Sequence, residues 1–152
     1  MSLATDSIFI AALKSNIELM EALGYVAPTQ TSEGKPGRLY CTAIPLPDED
    51  AENVPVPYVI VTFNGLTNDQ GTKDDRYESR YDKVEIGVEV TAKTLDDLHI
   101  LTGMVRETIL SYLRSRTTAV DDYLFTAEGI QYDSMKPCYW QVLRYQCDTI
   151  ND

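Results

Sequence analysis

His99 is the only histidine of the chain, so a general base of the Ser-His or Cys-His kind would have to be this residue. No nucleophile signature lies beside it. It sits on the flank of an apolar helical stripe, one residue past Leu98, where a structural or surface role is the simpler reading. Phosphate-cradling loops are missing too: neither G-x-x-x-x-G-K-[ST] nor G-x-G-x-x-G occurs, and the eight glycines are scattered. Asp48-x-Asp50-x-Glu52 opens like a calcium loop, but Asn53 stands where the turn glycine belongs and Val59 where the closing glutamate belongs. Cys41, Cys138 and Cys147 are odd in number, widely spaced and without a C-x-x-C pair, which argues against a disulfide framework and against zinc. All three fall in strand-like runs and are expected to be small buried hydrophobes in a reducing compartment. Asp74 and Asp75, followed by Arg76, Glu78, Arg80 and Asp82, can supply paired carboxylates, yet interspersed opposite charges mark a solvated loop or an intersubunit contact. The expectation is a protein with no catalytic residues, no cofactor and no metal, hence not an enzyme.

The totals narrow the class. A chain of 152 residues fits one domain, 1–152, and can bury a core without staples. Its 43% apolar and 24% charged residues are an ordinary globular mix. The apolar runs are far shorter than a bilayer requires, and the N-terminus lacks a secretory pattern, so a cytoplasmic site and no membrane partner are expected. Thirteen basic against twenty-four acidic side chains give a net charge of −11, which repels phosphate backbones and argues against sequence-specific nucleic-acid binding. Such a surplus serves solubility, and it also suits the wall of a channel through which DNA passes without sticking.

The elements that position these residues follow from periodicity. Val84, Ile86, Val88 and Val90 alternate with Lys83, Glu85, Gly87, Glu89 and Thr91, the pattern of a half-buried strand. Before it stands the proline-led run Pro57 to Phe63, and the seventeen residues from Asn64 to Arg80 join the two strands as an unusually long hairpin loop. That loop is expected to be mobile in the isolated subunit and ordered at a subunit contact. A first helix capped by Thr5 or Ser7 is predicted to run to Leu23 and stop at Gly24, with Phe9, Ile10, Leu13, Ile17 and Met20 on one stripe. Ala27 to Arg38 reads as a loop, and Leu39 to Ile44 as a short strand ended by Pro45. Thr94 with Asp97 predicts the start of a second helix reaching about Arg116, its core stripe formed by Leu95, Leu98, Leu101, Val105, Ile109, Tyr112 and Leu113. Ile100 and Met104 lie off that stripe, available to the first helix or to a partner. Leu124 to Tyr132 and Tyr139 to Thr149 close the chain as strands split by a turn at Asp133 to Pro137. Among the ten tyrosines, Tyr77 sits in a loop with little to pack on and is the best interface candidate. The fold class is therefore α+β: a mostly antiparallel sheet of four or five strands, with two helices on one face. The strands near Tyr81 and Leu124 can run parallel, joined by the second helix in a right-handed crossover.

This order of elements resembles the tail terminator family of tailed phages and prophages. The likeness spans nearly the whole chain and is clearest in Val56-Pro57-Tyr58-Val59-Ile60-Val61 through Asn64-Gly65, in Val84-Glu85-Ile86-Gly87-Val88-Glu89-Val90, and in Leu143-Arg144-Tyr145. The resemblance implies a structural assembly protein, not an enzyme. Such a protein forms a ring on the tail tube, ends tube polymerisation and offers the head-joining surface, with tube and head-tail connector proteins as partners. It implies residence in the host cytoplasm and then in the virion tail. A ring subunit needs two different faces for head-to-tail contacts. The candidates are Asp74, Asp75, Arg76, Tyr77, Glu78 and Arg80 of the long loop together with Ile100 and Met104. The stretch from Pro45 to Pro57 is longer than the family pattern, which leaves the place of the first strand open. Two other classes remain: a small-ligand-binding or regulatory oligomeric domain, and an enzyme whose site is built between subunits.

Overall fold

The alternation from Val84 to Val90 becomes the central strand. The computed structural model of the protein describes residues 5–42, 44, 54–67, 81–115 and 120–150. In it β3, Tyr81–Ala92, turns Val84, Ile86, Val88 and Val90 into one fully buried layer. Apolar residues at every second position fill one face of a pleated strand, and that face must be covered. β3 lies between β2 (Tyr58–Thr67) and β6 (Cys138–Ile150) and is antiparallel to both. With β1 (Leu39–Cys41), β4 (Val120–Ala127) and β5 (Gln131–Asp133) these make a six-stranded sheet in the order β1-β2-β3-β6-β4, and β5 also pairs with β6. Register aligns Val61, Val88 and Leu143 in one row and Ile86, Tyr145 and Phe125 in another. β3 and β4 are both antiparallel to β6, so they run parallel to each other with β6 between them, as the crossover required. β1 is parallel to β2.

Among the described residues three helices close the core: α1 (Thr5–Lys14), α2 (Ile17–Ala22) and α3 (Leu95–Ser115). Phe9, Leu13, Leu19, Leu23, Leu98, Leu101, Val105, Ile109 and Leu113 pack with the β3 layer in a single cluster. The expected α+β class, a mostly antiparallel sheet with helices packed on it, holds. α3 starts as its cap requires, with Thr94 Oγ1 accepting the Asp97 N–H at 3.1 Å.

Several boundaries differ, each for a local reason. The first helix is two helices, broken at Ser15 and Asn16. The Ser15 hydroxyl donates to the Ala12 carbonyl at 2.6 Å, and Asn16 Oδ1 accepts the Leu19 N–H at 3.2 Å and so caps α2. Both side chains compete with the helix ladder for its backbone groups. The break turns Ile17 out of the core stripe to 59% exposure. Asn16 also donates from Nδ2 to Thr108 Oγ1 at 2.8 Å, tying the break to α3. Gly24, at φ 94°, ends α2 as expected. Leu95, expected in the core, is 41% exposed in the first turn of α3, just after the chain leaves β3. Asn64-Gly65 does not end β2. It is a bulge, with the register shifting between Phe63 and Gly65, and the strand continues to Thr67. The remainder of the expected long loop, residues 68–80, lies outside the described residues. β1 stops at Cys41 rather than Ile44, and Thr42 turns the chain at φ 70°. The run Leu124 to Tyr132 is two strands, β4 and β5, both laid against β6, which raises the expected four or five strands to six.

Tyr145 fills the far side of the core. Its buried ring meets Phe9 edge-on at 5.1 Å and Phe125 at 5.0 Å, and Arg106 lies 4.2 Å over the Phe125 ring. Its hydroxyl is buried with no hydrogen-bond partner among the described residues. A buried polar group left unmade costs ~1–3 kcal/mol, so Tyr145→Phe is expected to stabilise the protein by about 1 kcal/mol while keeping the ring contacts. A thermal melt checks this, and a Tm at or below that of the native chain would show that the hydroxyl is satisfied.

Candidate functional site

α3 presents the two sequence-chosen residues one turn apart. Ile100 is 62% exposed, and Met104 is half-buried against the core. They do come together, at the wall of a groove of about 360 Å³ whose other sides are Ala22 at the end of α2, the Val56-Pro57 entry to β2, and Leu101. Lys93 and Asp97 stand on its rim. The entry segment is held there by Arg38, whose Nε donates to the Pro57 carbonyl at 2.9 Å and whose own carbonyl accepts the Val59 N–H at 3.0 Å. The groove thus follows from a break in three elements at one place: the end of a short helix, a proline entry and the first turns of α3. The other interface candidates, Asp74, Asp75, Arg76, Tyr77, Glu78 and Arg80, lie outside the described residues, as does Asp48 to Glu52.

The sheet face away from the helices is a second surface. Register places Glu89 between Ile60 and Val142, and Gly87 between Thr62 and Arg144. Arg144 pairs with Glu85 at 3.5 Å and with Glu128, joining β3 to the end of β4. Among the described residues no such cation meets Glu89, and burial between apolar neighbours pushes its carboxyl up from the ordinary carboxylate range. A carboxyl raised on folding favours the native state below its unfolded pKa and loses that contribution as pH rises through the folded value. Glu89→Gln is therefore expected to melt above the native chain at pH 7, with the gap closing as pH falls toward 4. Melts over that range check it, and a constant gap would place Glu89 in water.

Burial holds Cys138 and Cys147 in the core, and the Cys147 thiol is pushed up to about 12. Cys41, expected to be buried, is exposed, because β1 is a short strand on the sheet edge. His99 is exposed on α3. Among the described residues no cluster of three His, Cys, Asp or Glu side chains could hold a metal ion, and no helix is long and apolar enough to cross a membrane. Sequence reasoning missed Met135, which is 93% exposed at the tip of the turn between β5 and β6. The only signal was an apolar residue inside the turn Asp133 to Pro137.

The architecture is that of an α+β domain whose sheet carries helices on one face. The same fold occurs in a chain of the virion of the native gene transfer agent particle, with a TM-score of 0.58 and 9% identity over 97% of this chain and 95% of that chain. No protein-family model matches the chain, and no curated protein matches it in sequence.

Proposed function

We propose that the protein is a phage or prophage tail terminator, a structural assembly protein that forms a ring on the tail tube, ends its polymerisation and provides the head-joining surface. The observation that carries this reading is the end-to-end fold correspondence with a virion chain, 97% of one against 95% of the other. The sequence runs Val56 to Gly65 and Val84 to Val90, which resemble the terminator pattern, agree with it. On this reading the protein is not an enzyme. Its partners are further copies of itself, the tube protein and the head-tail connector, and it moves from the host cytoplasm into the virion tail. The test is tube assembly in vitro. Purified tube protein polymerised with increasing amounts of this protein should give shorter tubes capped at one end by a ring visible in negative stain. Tubes of unchanged length, with the added protein free in solution, would overturn the reading and bring forward a small-ligand-binding domain.

A further inference from the structure

Val54 and Cys138 are buried, yet both stand apart from the cluster that the helices close over. Strand alternation explains the cysteine. Cys138 shares its face of β6 with Val142 and Arg144, opposite to Leu143, so it lies on the side of the sheet away from the helices. Something other than a helix must cover it there, and the segment from Val54 to Pro57 is placed to do so. Lys136 Nζ donates to the Val54 carbonyl at 2.8 Å and lies 5.4 Å over the Tyr58 ring, and the same ammonium is near enough to Cys138 to act on its thiol. Asp133 Oδ1 sets the turn that carries this lysine, accepting the N–H of Met135 at 3.0 Å and of Lys136 at 3.3 Å. At the other end of the segment Arg38 Nε holds the Pro57 carbonyl at 2.9 Å. Between these two ties the segment belongs to no strand, and Pro55 and Pro57 have no N–H to give to a ladder. Two basic side chains fasten its ends where a strand would be held by a row of backbone bonds. A segment fastened in this way opens at far lower cost than the sheet beneath it.

We infer that residues 54–57 form a strap over Cys138, latched by Lys136, which opens locally while the sheet stays folded. Opening breaks one charge-assisted hydrogen bond and lifts the Val54 side chain into water, and no β-pair is lost. Arg38, at Pro57, confines the movement to the first residues of the strap. What it bares is the Cys138 thiol and the face of the Tyr58 ring, so this end of the sheet has a closed and an open form. The strap is a property of the single chain and does not depend on the ring.

Thiol labelling tests it. In a Cys41→Ser chain, which lacks the exposed thiol, modification of Cys138 and Cys147 by N-ethylmaleimide is followed by peptide mass spectrometry at several urea concentrations below the unfolding transition. Cys147 is paired on both sides, with β3 and with β4, and reports opening of the whole sheet. Cys138 should label faster than Cys147, at a rate nearly independent of urea, because local opening exposes little surface. Lys136→Met keeps the unbranched stem and loses the ammonium, and should raise the Cys138 rate about tenfold while leaving Cys147 unchanged. Lys136→Arg keeps a charged donor and should stay near the native rate. Equal rates with equal urea dependence at the two thiols of the native chain would mean that only global unfolding bares Cys138, and would overturn the strap. A Lys136→Met rate equal to the native one, or a rise shared equally by Cys147, would overturn the latch.

Discussion

Val88→Asp is expected to abolish the cooperative melting transition, while Glu89→Lys keeps one. Val88 is fully buried in the middle of the sheet, with Val61 on one side in register and Leu143 on the other, and the helices above. The substitution loses the burial of a valine, ~1.5–3 kcal/mol, and places a carboxylate in an apolar layer with no cation to meet it, at a further cost of several kcal/mol. Together these rival the ~5–15 kcal/mol that holds a domain folded. Glu89 points to the opposite face, half-buried between Ile60 and Val142. A lysine there lays its stem along those neighbours and lifts its ammonium to water, at a cost of about 1 kcal/mol. Circular dichroism melts of both variants make the comparison. Equal damage from the two would mean that the open face of the sheet is covered in the protein as it exists in solution.

Self-association is expected to strengthen as salt is added, by about tenfold in the association constant between low and physiological ionic strength, which is ~1.4 kcal/mol. The net charge of −11 is the reason. Subunits arranged around one axis bring like charges together, and the Debye length falls from ~30 Å at 0.01 M to ~10 Å at 0.1 M salt, so the repulsion is screened while an apolar contact is not. Low salt should favour monomers. Sedimentation velocity across a salt series, at concentrations well above micromolar, gives the result directly. Assembly that weakens with salt would mean that the contact is made of ion pairs.

The parts legible in the sequence were those whose pattern has one physical solution. Period-two apolar residues from Val84 to Val90 fit a strand and nothing else, and Thr94 three residues before Asp97 caps α3 as expected. The break between α1 and α2 was hidden because the apolar stripe runs straight through it. Only the hydrogen bonds of Ser15 and Asn16 reveal that the two halves are turned relative to each other. Asn64-Gly65 was ambiguous because one dipeptide serves both turns and bulges, and the continuation of β2 to Thr67 is decided by pairing with Lys83, far along the chain. Of the candidate surface, Ile100 and Met104 could be found because they depart from the α3 stripe. Met135 could not, since a turn residue has no periodicity to break, and the groove beside Ile100 is assembled from segments distant in sequence.

β6 pairs with β3, β4 and β5, and it follows all three in the chain. During synthesis, then, its partners leave the ribosome first and wait. Until Cys138 to Ile150 has emerged, β4 and β5 have no strand partner among the described residues and one edge of β3 stays open, a template for pairing with other nascent chains. The sheet is closed by one late segment inserted into the gap between β3 and β4, so premature release of the chain before Cys138 leaves an aggregating fragment rather than a smaller folded one.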